Sequence, residues 1–298
     1  MLALGLAWLV TLIWGSSFIL IKLGLEDLTP LFFAALRYWL GGVLLYLFLG
    51  ARREPLFPTL PRRTWGIVVL SGLATYTAGQ GLFYTGQTYV SALTGSFFYS
   101  LAPLFVLLLG LIHLGRRPGW LQLAGLVVTL VGSGIFFPPA VALEQWPGVV
   151  LMIASNVATG YYLILMRTLR EQTKLGAIWL TGTALFTGGG LLFAPAFVFE
   201  GLPTLTPRAI VIILWLATVN TALAYTIWNT LLKTVPPFEL SVLGNIIPLQ
   251  TALIGWLLFH QHYRLQQILG LVIVLAGVSL VQLDAAVLQR RLAMAQAK

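Results

Sequence analysis

Residues 103–132 read PLFVLLLGLIHLGRRPGWLQLAGLVVTLVG, and residues 248–277 read PLQTALIGWLLFHQHYRLQQILGLVIVLAG. The two stretches align without a gap at an offset of 145, the step from position 103 to position 248. The identical pairs include Pro103 and Pro248, Gln122 and Gln267, Gly125 and Gly270, and Gly132 and Gly277. The same offset places Lys22 on Arg167 and Glu26 on Glu171. The sequence therefore indicates two related halves, residues 1–140 and 145–285.

Both halves consist of apolar runs that are long enough to cross a bilayer. Hydrophobic residues make up 59% of the 298-residue chain, and charged residues make up 8%, against roughly 25% in soluble domains. This composition argues against a cytosolic enzyme. A bilayer core is spanned by about 20 apolar residues in a helix. Ten such runs occur, at 3–22, 30–49, 65–84, 93–112, 119–137, 147–166, 176–198, 209–230, 237–258 and 266–284. The predicted fold is an all-α integral membrane protein with ten transmembrane helices.

The distribution of basic residues orients these spans. If both termini are cytoplasmic, the opposite side carries only Lys22, Arg208 and Arg264, and Arg37 lies inside the second span. The cytoplasmic segments then carry Arg52, Arg53, Arg62, Arg63, Arg116, Arg117, Arg167, Arg170, Lys174, Lys233, Arg290, Arg291 and Lys298. Lys and Arg mark cytoplasmic loops in membrane proteins. The basic balance is thus explained by orientation in the membrane, and no nucleic-acid partner is expected.

Five spans in each half make the second half enter the membrane from the opposite face. Such inverted-topology repeats are common in secondary transporters. The turn 115–117 (Gly-Arg-Arg) lies on the cytoplasmic side in this arrangement, whereas its counterpart 260–262 (His-Gln-His) lies outside and lacks the arginines. The segment 286–298 is basic and is expected to form a cytoplasmic tail on the membrane surface.

Several short segments carry a resemblance to a known family. They are Trp14-Gly15-Ser16-Ser17-Phe18 with Lys22, Pro30, Ala35-Leu36-Arg37-Tyr38, Ala222-Leu223-Ala224-Tyr225, Trp228-Asn229, Glu239, and the spans around Pro103 and Pro248. In order and spacing, these segments resemble the EamA-like permeases of the drug/metabolite transporter superfamily. The resemblance implies a ten-helix inner-membrane carrier that moves small metabolites, often outward. Family members often have Gly-Glu before the fifth and tenth spans, but this chain has Arg116 and Gln261 at those positions.

Polar and aromatic residues form matched stripes in four spans. The stripe in span three is continued by Gln87 just beyond it, and residues three or four apart share one helix face. By span, the stripes are Tyr76, Gln80 and Tyr84; Thr221, Tyr225 and Asn229, with Trp228 beside them; Thr11 and Trp14; and Asn156 and Thr159. We expect them to surround one central cavity, since polar groups inside spans are costly without a partner. The alternative is that they only hydrogen-bond neighbouring helices.

Arg37 lies about seven residues into the second span, or roughly 10 Å deep at ~1.5 Å per residue. A guanidinium at this depth needs a partner, and no acidic residue lies deep in a span. The partner is either a carboxylate or phosphate of the substrate, bound bidentately, or a structural one. The structural alternatives are extension of the side chain to the outer interface and bonds to backbone carbonyls at a helix end.

Prolines and glycines in the repeated stretches suggest further features. Pro103 and Pro248 free the carbonyls four residues back, at Tyr99 and Gly244, and Asn245 lies beside the second break. Tyr99 and Asn245 therefore join the candidate substrate-binding residues, although a purely structural kink is the alternative. The glycines of spans five and ten favour close helix packing, and these spans are expected at the periphery, near a homodimer contact.

No sequence motif points to a cofactor, a metal or a catalytic cluster. The chain has no cysteine and no P-loop, and its three histidines fall at span ends, so an intramembrane enzyme is disfavoured. A channel is disfavoured because the polar stripes are local. Glu239, at the start of span nine, is the carboxylate nearest to a span interior. The sequence thus predicts a secondary carrier that exports or exchanges a small metabolite, with an amino acid as the first candidate. Sugar, nucleotide-linked and lipid-linked substrates are the alternatives.

Overall fold

The computed structural model describes residues 2–114, 119–136, 143–173, 175–231 and 243–296, and within these ranges the chain is helical and contains no strand. Five helices belong to the first 114 residues. They are α1 (Leu2–Gly24), α2 (Pro30–Ala51), α3 (Arg62–Tyr89), α4 (Ala92–Ser100) and α5 (Ala102–Leu114). Those that follow are α6 (Trp120–Phe136), α7 (Trp146–Gln172), α8 (Ala177–Glu200), α9 (Pro207–Leu231), α10 (Ile247–Phe259) and α11 (Leu265–Gln296).

In the described part of the chain, six helical segments are long and apolar enough to cross a membrane. They are most of α1, the whole of α2, α3, α8 and α9, and the stretch Ala92–Leu109 that joins α4 to α5. Shorter apolar helices are α6, α10 and the first part of α11, Leu265–Val281. Large apolar side chains such as Leu47, Val211 and Leu258 are exposed on the outside, where a soluble protein would be unstable. The chain is therefore a multi-pass membrane protein.

Both repeat prolines lie at helix breaks. The expected span 93–112 is two helices, α4 and α5, because Pro103 in the first turn of α5 cannot continue the hydrogen-bond ladder of α4. Pro248 likewise lies in the first turn of α10. The N–H of Leu101 donates to the Phe98 carbonyl at 3.0 Å, and the N–H of Ile246 donates to the Leu243 carbonyl at 3.1 Å. These two bonds correspond to each other at the offset of 145. The first part of span nine, 232–242 with Glu239, lies outside the described residues.

Two π-helical segments interrupt α3 and α9, at Leu73–Gly79 and Leu216–Leu223. Each contains one member of an equivalent pair, Tyr76 in α3 and Thr221 in α9. A π-helical turn bonds residue i to i+5 and occurs frequently at functional sites. Because it adds one residue to a turn, it rotates the side chains that follow relative to a regular helix.

The glycines of the repeated stretch bring α6 and α11 into close contact. A methyl group added at Gly125 would lie 2.6 Å from the Gly277 carbonyl oxygen, and one at Gly132 would lie 2.7 Å from the backbone nitrogen of Val274. Gly270 in turn faces the carbonyl oxygen of Gly132. The expectation of close packing through these glycines is confirmed. Gly125, the first glycine of the pair in α6, thus meets Gly277, the second of the pair in α11, and Gly132 meets Gly270. The two helices therefore run antiparallel.

The helix contacts themselves follow the repeat. The contact of Gly125 with Gly277 becomes that of Gly270 with Gly132 when every residue is exchanged for its counterpart at an offset of 145. A second contact behaves in the same way. Gly15 in α1 faces Gln250 in α10, and Gly160 in α7 faces Phe105 in α5. Both pairs of contacts are thus related by exchange of residues at the offset of 145.

Candidate functional site

A cavity of about 470 Å³, counting its open mouth, lies between α1, α2, α3, α4 and α9. Its wall is formed by Trp14, Ser17, Phe18, Ile21, Arg37, Tyr38, Gln80, Phe83, Tyr99 and Tyr225. Five of the site residues expected from the sequence meet here, namely Trp14, Arg37, Gln80, Tyr99 and Tyr225. The side chain of Tyr99 in α4 is 41% exposed, because it lines this opening.

Hydroxyl groups from three helices hold the guanidinium of Arg37. Its Nε donates to Thr221 Oγ1 of α9 at 3.2 Å, and its Nη1 donates to the Tyr84 hydroxyl of α3 at 3.0 Å. Its Nη2 donates to Ser17 Oγ of α1 at 3.4 Å, and the ring of Tyr38 lies 5.0 Å from Cζ. Arg37 is only 5% exposed. In the described part of the chain its hydrogen bonds go to these three hydroxyls, which are structural partners, and not to backbone carbonyls.

The buried charge of Arg37 has no carboxylate partner in the described part of the chain. Within the described ranges, the ion pairs join Arg208 to Glu26 at 2.9 Å and to Asp27 at 3.8 Å, both away from the cavity. A guanidinium carries five N–H donors and stays protonated in proteins. Three of these donors are used by the hydroxyls, and the cavity lies next to the rest. An isolated buried charge is costly, so this group is suited to receive an anion.

Aromatic rings form most of the remaining wall. The ring of Trp14 lies 5.5 Å from that of Tyr225, and the ring of Phe18 lies 5.7 Å from that of Tyr99. The Tyr38 hydroxyl donates to Gln80 Oε1 at 2.7 Å, which leaves the amide nitrogen of Gln80 as a donor beside the cavity. The walls thus offer flat apolar surface with a few fixed polar groups, as small-molecule sites do.

The π-helical segment of α9 positions α1 at the cavity. Asn220, which is fully buried, donates through Nδ2 to Ser17 Oγ at 2.8 Å. Its backbone carbonyl accepts the indole N–H of Trp14 at 3.0 Å. A backbone carbonyl oxygen has two lone pairs, so it can accept this indole N–H in addition to a bond within the helix. Asn220 therefore orients two cavity residues without lining the cavity.

Three more of the expected residues lie directly behind the wall. Tyr84 holds Arg37, Tyr76 packs its ring 5.0 Å from that of Tyr38, and Trp228 packs its ring 4.9 Å from that of Trp14. These three residues contact the cavity-lining side chains from behind and hold them in place.

The other five expected residues lie in contacts between helices or within one helix. Thr11 accepts a bond from Gln250 Nε2 at 3.2 Å, and Asn229 donates to Thr181 Oγ1 at 3.3 Å. Asn156 donates to the Met152 carbonyl one turn earlier in α7, at 2.9 Å. Asn245 donates to Ser279 Oγ at 3.4 Å. Thr159 faces Gly79 of α3. In this structure these five residues are not among those that line the cavity.

Three important residues were not among the site residues expected from the sequence. They are Ser17, Tyr38 and Asn220. Ser17 and Tyr38 belong to the quoted family-like segments, so a usable pattern existed for these two. Thr221, which belongs to the stripe of α9, binds Arg37 from behind the cavity wall. Asn220 is a lone amide in an apolar span, and its role depends on the π-helical turn.

The described residues contain no group of three or more His, Cys, Asp or Glu side chains that could hold a metal ion. The charged group at the cavity wall is instead the guanidinium of Arg37. The chain is thus a multi-pass membrane protein with a buried, arginine-centred cavity between its helices. The sequence profile of the EamA-like transporter family matches residues 1–137 and 146–283. The chain belongs to the EamA-like transporter family, as the quoted segments predicted.

Curated relatives are similar over almost their whole length. A probable amino-acid metabolite efflux pump of Escherichia coli (strain K12) is 24% identical over 282 residues, covering 91% of this chain and 92% of the relative. An S-adenosylmethionine/S-adenosylhomocysteine transporter of Chlamydia trachomatis is 26% identical, covering 88% of this chain and 83% of the relative. A solved crystal structure shares the fold with a TM-score of 0.67 at 17% identity, covering 96% of this chain and 97% of that one. The family and the names of these relatives indicate a transporter and not an enzyme.

Proposed function

We propose that this protein is a secondary carrier that exports or exchanges a small metabolite bearing a carboxylate, and that the metabolite is an amino acid. The observation that carries the proposal is Arg37, a buried cation at the cavity wall whose partners in the described chain are all neutral. A substrate carboxylate would supply the missing negative charge and would accept two parallel N–H bonds. Binding would thereby remove the cost of an unpaired charge in the membrane.

The walls and the relatives support an amino acid. Trp14, Phe18 and Tyr225 present ring faces suited to an apolar or aromatic side chain, and a ring face also attracts an ammonium group. Gln80 adds an amide. The two relatives named as transporting amino-acid metabolites and S-adenosylmethionine handle molecules that contain an amino-acid unit. A nucleotide-linked substrate is the alternative, since its phosphate would also suit Arg37.

For the architecture, we propose ten membrane spans in two inverted halves, residues 1–140 and 145–285. The antiparallel contact of α6 with α11 supports this arrangement, because equivalent helices that run antiparallel belong to halves of opposite orientation. Exchange of contacts at Gly15 and Gly160 supports it independently. Alternating access then follows from rocking of one half against the other around a central site.

For the setting, we propose the inner (cytoplasmic) membrane with both termini in the cytoplasm, on the charge distribution given above. The helix α11 continues to Gln296, so residues 286–296 of the basic tail extend the last helix. A homodimer and the absence of a nucleic-acid partner complete the proposal. Site-directed tagging of the two termini in spheroplasts tests the orientation.

The experiment that tests the function is uptake of labelled amino acids into proteoliposomes of the purified protein. Arg37→Ala should abolish saturable uptake, while Arg63→Ala, which removes an exposed arginine at the start of α3, should leave it unchanged. Both variants must elute as folded protein in size-exclusion chromatography. Saturable uptake that Arg37→Ala leaves intact would refute the role of Arg37. Saturable uptake of nucleotide-linked compounds, without saturable uptake of amino acids, would favour the alternative substrate class.

A further inference from the structure

A second opening lies on the outer surface of the helices, beside the last turns of α2. It is a groove of about 840 Å³, counting its open side, between α2, α8 and the loop that joins α2 to α3. The side chains that line this groove are apolar apart from one phenol hydroxyl, and they include Tyr46, Leu47, Gly50, Leu56, Phe57 and Phe186. The groove shares no lining residue with the arginine-centred cavity.

Contacts within the protein hold the walls of this groove in place. The Tyr46 hydroxyl donates to Thr183 Oγ1 of α8 at 3.0 Å, and the ring of Phe57 stacks on that of Tyr46 with 6.0 Å between the ring centres. The indole N–H of Trp179 donates to the Leu56 carbonyl at 2.9 Å and thereby fixes the α2–α3 loop to α8. The ring of Phe57 is nevertheless 77% exposed. The groove is therefore formed without a ligand, and an apolar ligand can reach it from outside.

Two cations adjoin the groove where α2 ends. Arg52 and Arg53 directly follow Ala51, which is the last groove residue of α2. The guanidinium of Arg52 lies 4.9 Å from the ring centre of Phe48, which keeps it close to the end of this helix. Both arginines are exposed, and neither forms an ion pair within the described part of the chain. Glu54 is the single carboxylate of the α2–α3 loop, so this end of the groove has a net positive charge.

We propose that the groove binds one anionic phospholipid, with an acyl chain between α2 and α8 and the headgroup phosphate at Arg52 and Arg53. A guanidinium binds a phosphate through two parallel N–H bonds, and basic pockets beside membrane helices suit anionic headgroups. The proposed orientation places the end of α2 on the cytoplasmic side, so the lipid belongs to the cytoplasmic leaflet. The binding itself requires neither the proposed substrate nor the carrier function.

The apolar and the charged part of this site have different roles. Lipid tails in a bilayer are already in apolar surroundings, so the groove selects an acyl chain by shape and does not distinguish headgroups. The two arginines supply that distinction, because an anionic headgroup lacks the ammonium group of a zwitterionic one, which the same cations repel. A preference for anionic over zwitterionic lipid that needs both the groove and the arginines therefore separates this site from general coverage of the surface by lipid.

Gly50 allows the groove to be filled without disturbing the fold. A methyl group added at Gly50 meets nothing within 4 Å, so the side chain of Gly50→Leu occupies groove space without displacing protein atoms. Gly66→Leu in α3 is the matched control, since Gly66 is also an exposed helix glycine with open space around it and does not line the groove. Both substitutions raise the helix propensity equally.

The experiment is native mass spectrometry of the purified protein in detergent, titrated with dioleoyl phosphatidylglycerol or with dioleoyl phosphatidylcholine. The charge variant is the double substitution Arg52→Gln/Arg53→Gln. Its matched control is Arg62→Gln/Arg63→Gln, which removes the same charge from two exposed arginines that do not adjoin a groove residue in sequence. The unfolding midpoint of each variant without added lipid checks that it is folded.

We expect the unmodified protein to bind one phosphatidylglycerol about tenfold more tightly than phosphatidylcholine. Gly50→Leu should abolish this binding and Arg52→Gln/Arg53→Gln should abolish the preference, while both control variants keep them. Equal binding of the two lipids by the unmodified protein would overturn the proposal. An equal loss of preference in Arg62→Gln/Arg63→Gln would overturn it as well, in favour of diffuse attraction by surface charge. A dimer that Gly50→Leu dissociates would instead assign the groove to a second copy of the chain. The arginine variants alter exposed side chains, so they decide the result even if Gly50→Leu fails to fold.

Discussion

The contact between α6 and α11 gives the sharpest prediction about stability. Gly132→Ala places a methyl group 2.7 Å from the Val274 backbone nitrogen, which only a shift of the helices can relieve. Overpacking of this kind costs about 1–3 kcal/mol. The control is Gly134→Ala, two residues further along the same helix, where an added methyl group meets nothing within 4 Å. Both substitutions change the intrinsic helix propensity equally, so their difference isolates the contact.

The expected difference in the free energy of unfolding between the two variants is therefore about 1–3 kcal/mol. Each kcal/mol moves the unfolding midpoint by roughly 2–4 °C in a domain of this size. Gly132→Ala should unfold several degrees below Gly134→Ala when tryptophan fluorescence is followed during heating in detergent. Gly277→Ala, its repeat counterpart, should behave like Gly132→Ala. Midpoints that agree within experimental error for all three variants would refute the close antiparallel contact.

Two further predictions concern single contacts. Tyr84→Phe removes a hydrogen bond to a charged group, worth about 1.5–3 kcal/mol, and should raise the KM for uptake about tenfold, because Arg37 loses its orientation. Tyr89→Phe, at an exposed tyrosine, should not change KM. The Glu200 carboxylate accepts the first N–H groups of α2 at 2.9 and 3.0 Å. Glu200→Gln removes its negative charge, so the free energy of unfolding should fall by about 1 kcal/mol and the unfolding midpoint should fall with it. Glu144→Gln, at an exposed glutamate, should leave the midpoint unchanged, and equal midpoints for the two variants would contradict the capping role.

Sequence reasoning predicted the parts of this fold that depend on apolar length and on the positions of prolines and glycines. Runs of about 20 apolar residues correspond to helices because a membrane requires each span to satisfy its own backbone. The prolines at 103 and 248 predicted both helix breaks because proline has no N–H. The glycines at 125 and 277 predicted close packing because a side chain would not fit.

The site was only partly predictable, because a polar stripe on a helix does not show whether each residue faces a cavity or a neighbouring helix. Gln80 and Tyr225 reach the cavity, whereas Asn229 continues the stripe of Tyr225 by one turn and instead donates to Thr181. The phase also changes at the π-helical turns, which no residue pattern in the chain indicated. Asn220 gains its contacts to α1 through such a turn. The hydroxyl partners of Arg37 come from three helices, and their convergence depends on tertiary packing.

The central claim is that Arg37 receives the carboxylate of an amino acid, and competition with methyl esters tests it most directly. Uptake of a labelled amino acid into proteoliposomes is measured with increasing unlabelled amino acid or with its methyl ester. Loss of a charge-assisted hydrogen bond costs about 1.5–3 kcal/mol, so the ester should compete at least about tenfold more weakly. In Arg37→Lys, whose point charge lacks the bidentate fork, this preference should shrink. Equal competition by acid and ester in the unmodified protein would contradict the account.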